Sequence, residues 1–249
     1  DIIDELIHAD NDFGSDKEGY YNKCIQTIVE LGQADAFIVD MSNLIQNLAI
    51  GKLHIIGDIF DRGPRADIIL DTLENYHSVD IQWGNHDIVW MGAAAGSKAC
   101  IASVLNSAIQ YNTLSLIENT YGISLRDLIG YAQETYSECT WFMPRNPEDK
   151  YYIKNNMDNL SKAHKAIAII MFKLEGQLIL RHPEYGMEDR LLLDKIDYDN
   201  STVTIDGRAY PLNDCHFPTI DRENPYRLSF EEDKLMDSLS MAFRNSAAL

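Results

Sequence analysis

Leu53-His54-Ile55-Ile56-Gly57-Asp58-Ile59-Phe60-Asp61-Arg62-Gly63-Pro64, followed by Val79-Asp80-Ile81-Gln82-Trp83-Gly84-Asn85-His86-Asp87, is the stretch on which the fold turns. Two short apolar runs each lead into a glycine and then into carboxylate, amide, imidazole and guanidinium groups. Between them, Ile68, Ile69, Leu73 and Tyr76 recur at helical spacing. Strand, helix and strand in that order predict a βαβ unit with parallel strands and a right-handed crossover. Leu53–Ile56 has little polar alternation, so that strand is expected to be covered on both faces. Ligands of such sheets gather beyond the carboxyl ends of the strands, where both polar motifs fall.

Each polar residue has a distinct use in moving a phosphoryl group to water. Two divalent ions a few ångströms apart need a bridging ligand, and Asp58 at a strand end offers two oxygens. Gly57 lets the backbone turn sharply without crowding the ions. Asn85 offers a neutral hard oxygen, suited to Mn²⁺ or Mg²⁺. His86 can protonate a leaving alkoxide, and Asp61, one turn beyond Asp58, can hold that imidazole in the right tautomer. Arg62 presents a planar fork for two phosphate oxygens. Alone, G-D-x-x-D is usually helix capping and N-H-D a loop. Both together, each after an apolar strand and separated by one crossover helix, favour the catalytic reading.

Working outward, Glu18–Leu31 and Asp35–Ala49 are predicted as amphipathic helices, after a loop signal at Asn11–Ser15. Residues 88–112 are rich in Ala, Gly and Ser, which suggests a closely packed helical pair broken near Gly96. Ser124 is placed to cap a helix running to Tyr136, and Leu160–Glu175 is again helical. Pro144–Asp149 is loop. After Arg181-His182-Pro183, Lys195–Tyr198, Thr202–Ile205 and Arg208–Leu212 are expected as short antiparallel strands. Ser229-Phe230-Glu231-Glu232 is a capping box opening the last helix. The organisation predicted is a partial α/β core over 1–87, a mostly helical cap with small hairpins over 88–230, and a helix over 231–249 leading back to the missing part of the core. His54, His164, Trp83, Trp90 and Met91 are assigned to structural roles, His54 and the last three in the core; His77 is expected at the surface. Arg65 is left between phosphate binding and a solvated loop.

The net charge is −18, from 39 acidic against 21 basic residues. Such a surface repels nucleic acid and anionic membranes, so neither is expected as a partner. An anionic substrate binds such a protein only where metal ions or clustered arginines reverse the local field. Hydrophobic residues make up 45% of the chain, enough for a sizeable core. Cys24, Cys100, Cys139 and Cys215 are widely spaced with no C-x-x-C pair, which fits reduced thiols in the cytoplasm. No apolar run approaches the roughly 18 residues of a membrane span.

The strings Ile55–Pro64, Tyr76–Asp87, Met91-Gly92-Ala93-Ala94-Ala95-Gly96-Ser97 and Arg190-Leu191-Leu192-Leu193-Asp194-Lys195-Ile196 resemble the bacterial class III fructose-1,6-bisphosphatases. Those belong to the calcineurin-like metallophosphoesterase superfamily. The resemblance implies a metallophosphoesterase-type β-sandwich core, held in part by residues 1–87, with a helical insertion. It implies hydrolysis of the 1-phosphate of fructose 1,6-bisphosphate, a small sugar bisphosphate, in gluconeogenesis, with Mn²⁺ as the usual activator and Mg²⁺ or another divalent ion as a substitute. Asp58 would bridge the metals, Asn85 would bind one, His86 with Asp61 would form the acid pair and Arg62 would hold phosphate.

The superfamily's upstream Asp-x-His and downstream Gly-His motifs are not found. The chain starts at Asp1 and stops inside a helix-like pattern at Leu249. It is therefore expected to be a fragment holding about half of the metal ligands, binding metal weakly and inactive alone. Oligomeric state is left open, a homo-oligomer being one outcome. Two other readings stand beside this one. A phosphoprotein phosphatase shares the motifs, but usually has Glu where this chain has Asp87. A non-catalytic scaffold with a degenerate core is the other.

Overall fold

The structure is a computed structural model that describes residues 15–63, 65–145, 157–247 and 249. The loop signals at Asn11–Ser15 and Pro144–Asp149 lie largely outside the described residues, as does Pro64. Two compact units are present, Asp1–Ile55 with Glu74–Ile81 and Ile56–Leu73 with Gln82–Leu249. The second unit runs across the boundary expected at residue 87 and takes in the last helix.

The first unit contains α1 (Ser15–Glu30), α2 (Ala34–Ala49), β1 (Leu53–Ile55) and β2 (Val79–Ile81). Gly32, at φ +68°, closes α1, and the Gln33 N–H reaches back to the Ile28 carbonyl. That i→i−5 bond is the Schellman stop, which favours glycine. β1 and β2 pair in parallel, with Leu53, His54 and Ile55 opposite Val79, Asp80 and Ile81.

The expectation that β1 is covered on both faces is not met. Both strands alternate half-buried and exposed positions. His54, expected in the core, is exposed and lies 3.0 Å from the Asp80 carboxylate on the neighbouring strand, with Lys52 at 3.6 Å. The polar residue at the centre of each strand aligns with its counterpart, so one face is charged and the other apolar.

The second unit is mostly helical: α3 (Ala66–Glu74, whose last residue falls in the first unit), α4 (Asn85–Ala94), α5 (Lys98–Gln110), a π-helical turn at Leu116–Thr120, α6 (Arg126–Thr135), α7 (Met157–Arg181) and α8 (Phe230–Asn245). The break between α4 and α5 falls at Gly96, whose φ of +87° suits glycine. Ser97 then caps α5.

α7 is longer than the predicted Leu160–Glu175. Nothing in its sequence stops a helix before Pro183, and 14 of its 25 residues are buried. Its apolar residues Ala163, Ile167 and Ile170 join Ile101, Leu105 and Ile109 of α5 and Met236, Leu239 and Phe243 of α8 in one core. Farther along, Ile169 and Ile179 enter a second cluster with Leu191, Leu193, Ile220 and Tyr226. Gly176 has no room for a side chain there, since a Cβ would lie 2.8 Å from the Tyr226 ring carbon Cγ and closer still to the ring edge.

Two lysines of α7 are fully buried and paired. Lys165 bonds Asp214, and Lys173 Nζ lies 2.7 Å from Glu232 Oε2. Glu232 also accepts the Ser229 N–H at 2.7 Å, and the Ser229 hydroxyl accepts the Glu232 N–H at 3.1 Å, forming the predicted capping box.

β3 (Ile196–Asp197), β4 (Thr202–Ile205) and β5 (Arg208–Pro211) form the predicted antiparallel meander. Its two-residue turn places Asp206 at φ +49° and Gly207 at φ +73°, the left-handed pair that matches the strand twist. Trp90 is buried as expected, stacked on Phe60 with ring centroids 4.7 Å apart. Trp83 and Met91 are about half exposed instead. Trp83 follows β2 in the loop before α4, and Met91 lies at the edge of the buried face that Asp87, Trp90 and Ala93 form on α4. His164 is structural, its Nδ1–H donating to the Phe142 carbonyl at 2.9 Å, and His77 is exposed. All four cysteines are free.

Candidate active site

Both polar motifs belong to the second unit. After β1 the chain passes through Gly57 at φ +94° and Asp58 at φ +55°. A non-glycine residue in the left-handed region costs about 1–3 kcal/mol and marks a position held by its surroundings. The neighbouring loop does the holding. A Cβ on Gly57 would lie 2.7 Å from the Gln82 carbonyl oxygen, and one on Gly84 would lie 2.5 Å from the Asp58 nitrogen. The two loops therefore touch backbone to backbone, and both glycines are required for that approach.

Asp87 ties the loops together. Its carboxylate is 2% exposed. Oδ2 accepts the Asp58 N–H at 2.7 Å and the Gly84 N–H at 2.9 Å, while Oδ1 accepts the Phe60 N–H at 3.1 Å. Asp87 is the third residue of α4, where a carboxylate reaching back to the N-cap amide is expected and favoured by the helix dipole. Here it also reaches across to the other motif. Asp58 returns the contact, its Oδ1 accepting the His86 N–H at 3.2 Å.

The acid pair assembles on this frame. The Asp61 N–H donates to the Asp58 carbonyl at 3.4 Å in the expected turn. Asp61 Oδ1 then lies 2.9 Å from His86 Nε2 and 3.2 Å from Arg62 Nε. That oxygen is shielded from solvent, and both contacts are ion-pair contacts rather than aligned hydrogen bonds. The Arg62 guanidinium lies over the Tyr111 ring, 5.0 Å from its centroid. Arg65 is resolved in favour of a local role, gripping Asp67 with two bonds of 3.0 and 2.8 Å. These bonds hold the Asp67 carboxyl below the usual range.

A cavity of about 120 Å³ opens beside the pair. Asp61, Asn85 and His86 line one side, and Ser103, Ser107 and Thr113 bring hydroxyl groups from α5 and the turn after it. Phe60 and Trp90 close its floor with a stacked aromatic pair. An alcohol leaving group placed there would meet His86 on one side and hydroxyl partners on the other.

Of the five residues predicted from sequence, Asp58, Asp61, Asn85 and His86 converge on this site, and Arg62 sits at its rim. Asp58 and Asn85 fit a hard divalent ion in donor type, one carboxylate and one amide oxygen from adjoining loops. Among the described residues no group of three or more His, Cys, Asp or Glu side chains converges for a metal. Two such donors fall short of the about six oxygens that these ions take. Asp87 was legible as a motif member, and its position three residues after Gly84 was the available signal for a capping role. Tyr111 and Arg145 carried no sequence signal, because only folding brings them to Arg62.

No helix among the described residues is long and apolar enough to cross a membrane. No solved structure matches the chain. Curated relatives do. One named fructose-1,6-bisphosphatase class 3 from Alkaliphilus metalliredigens is 54% identical over the whole chain. Relatives of the same name from Clostridium acetobutylicum and Clostridium tetani are 52% and 50% identical, again over the whole chain. The chain spans 37–38% of the length of these three. The sequence profile of the Firmicute fructose-1,6-bisphosphatases matches residues 1–249, motifs, cavity wall and β-meander together, and the chain accordingly belongs to that family.

Proposed function

We propose that the chain carries part of a metal-dependent phosphomonoesterase site that hydrolyses fructose 1,6-bisphosphate to fructose 6-phosphate and phosphate, a gluconeogenic step in the cytoplasm. The observation that carries this reading is the His86–Asp61 pair, set beside Asp58 and Asn85 on two loops locked by Asp87, at the mouth of a hydroxyl-lined cavity. The names of the relatives support the substrate. We read β1 and β2 as part of a metallophosphoesterase-type β-sandwich and the helices of 88–230 as a cap on it, with α8 leading back toward the core.

In the reaction, the bond between phosphorus and the sugar oxygen breaks as a water oxygen bonds to phosphorus. The sugar alkoxide needs a proton as it leaves. His86 supplies it from Nδ1, while Nε2 faces Asp61. Asp61 keeps the ring oriented and balances its charge. Arg62 draws on the phosphate oxygens. When bound between Asp58, Asn85 and further ligands, Mn²⁺ or Mg²⁺ would supply Lewis acidity and an activated water.

The test is an assay of the complete gene product with Mn²⁺ against fructose 1,6-bisphosphate and a phosphopeptide, beside His86→Asn. Loss of the acid should lower kcat on the sugar by roughly 10²–10⁴. It should matter far less for 4-nitrophenyl phosphate, whose leaving group needs no proton. Preference for the peptide would move the protein to the phosphoprotein phosphatases. Full activity of His86→Asn on the sugar would remove the acid role.

A further inference from the structure

The rim of the cavity holds a second cationic feature that the reaction above does not use. Tyr111 follows α5 directly, and its N–H donates at 2.9 Å to the carbonyl of Ser107, a residue lining the cavity. Two guanidinium groups lie over its ring, Arg62 at 5.0 Å and Arg145 at 5.4 Å from the centroid. Arg145 is held in place. Its Nη1 donates to the Tyr111 hydroxyl at 3.3 Å and its backbone N–H to the Gln110 carbonyl at 2.9 Å. With the Gln110 amide oxygen turned toward it, Nε and Nη2 donate there at 3.3 and 3.1 Å.

Two like charges on one aromatic ring need an explanation in a chain of net charge −18. They repel each other, and the attraction of one ring for exposed cations is modest. Arg62 has a counter-charge in Asp61 at 3.2 Å. The partners of Arg145 among the described residues, Tyr111 and Gln110, are neutral. Among the described residues Arg145 therefore has no carboxylate partner, and an anion bound to its guanidinium would offset the repulsion from Arg62.

We propose that Arg145, braced by Tyr111 and Gln110 beside Arg62, is a second anion site, which holds the phosphate that is not cleaved. The inference rests on the phosphomonoesterase reading and extends it. The reacting phosphate lies against Asp58, Asn85 and His86, the sugar occupies the cavity beside Ser103 and Ser107, and the distal phosphate reaches the rim. A planar fork suits two phosphate oxygens. This selects substrates with two anionic ends over simple monoesters.

The test uses the complete gene product with wild-type sequence, Arg145→Gln, Arg145→Lys and Tyr111→Leu. The substrates are fructose 1,6-bisphosphate and fructose 1-phosphate, which differ only in the distal phosphate. Loss of a charge-assisted pair predicts a KM for the bisphosphate raised roughly 10- to 100-fold in Arg145→Gln. The bisphosphate kcat and both constants for the monophosphate should stay within about twofold. Arg145→Lys should recover part of the loss, and Tyr111→Leu should follow Arg145→Gln in direction. An unchanged KM, or equal losses on both substrates, overturns the proposal. If the wild type hydrolyses neither sugar, the phosphatase reading fails, and calorimetric titration with the same two sugars still decides. Tighter bisphosphate binding that disappears in Arg145→Gln upholds the second anion site, and equal affinities refute it.

Discussion

Replacing Asp87 by Asn should unlatch the two motif loops while leaving the side-chain volume unchanged. The Asp87 carboxylate receives three backbone N–H groups, two on Oδ2 and one on Oδ1. An asparagine that keeps its oxygen at the Oδ2 position retains the bonds from Asp58 and Gly84, weakened by loss of charge. Its NH₂ then faces the Phe60 N–H, donor against donor. One bond to a charged group is worth about 1.5–3 kcal/mol, and an unsatisfied buried donor costs about 1–3 kcal/mol. Since these overlap, a loss of roughly 2–4 kcal/mol is expected for Asp87→Asn and somewhat more for Asp87→Ala. In a protein of this size that is a fall in melting temperature of about 4–16 °C.

The local readout is more decisive than the global one. Amide hydrogen exchange followed by mass spectrometry should show faster exchange in peptides spanning 57–61 and 82–87, because the freed N–H groups belong to Asp58, Phe60 and Gly84. Peptides of the α5–α7 core should change only as much as global stability does. If Asp87→Asn melts like the wild type and both loops keep their protection, the carboxylate is not the latch, and the strained φ of Asp58 must be held by the glycine contacts alone.

Two further predictions concern the buried groups of α7. Glu232→Gln removes the counter-charge of Lys173, which keeps only the Thr219 carbonyl at 2.6 Å and hydroxyl at 3.4 Å, and breaking such a pair costs about 3–5 kcal/mol; urea unfolding measures it, and the double substitution Lys173→Met with Glu232→Leu should recover most of the loss. His164 gives a pH effect: burial holds its imidazole below the ordinary 6.5, against the opposing bond to the Phe142 carbonyl, so the unfolded chain takes up a proton before the folded one. Stability from this group is complete above about pH 6.5 and is lost as pH falls from there toward the depressed folded value. The urea midpoint should decline over that range in the wild type and less steeply in His164→Gln, and identical slopes would discard the assignment. Carboxylates held low by their partners, such as Asp67 and Asp214, act only at lower pH.

Local sequence was sufficient for whatever is written in neighbouring residues. The helical periods of α1, α2 and α5, the Gly96 break, the Ser229–Glu232 capping box and the Asp206-Gly207 turn each depend on contacts within a few positions. So does the order strand, polar motif, helix, strand, polar motif that placed Asp58, Asp61, Asn85 and His86 at one site. A phosphoryl-transfer reading was open there too, because a carboxylate, an amide, an imidazole and a guanidinium at those spacings suit it.

The tertiary structure decided what depends on partners distant in the chain. His54 reads as a core residue until the register sets it opposite Asp80, and Trp83 as a core aromatic until β2 ends two residues earlier. Asp87 is only the last member of the second motif until the Gly57 and Gly84 backbones meet and bring the Asp58 and Phe60 amides within its reach. Arg145 is an unremarked loop arginine until Tyr111 gathers it beside Arg62. Periodicity reports which side of an element is apolar, but a hydrogen bond or a charge pair forms between whichever groups packing brings within about 3 Å.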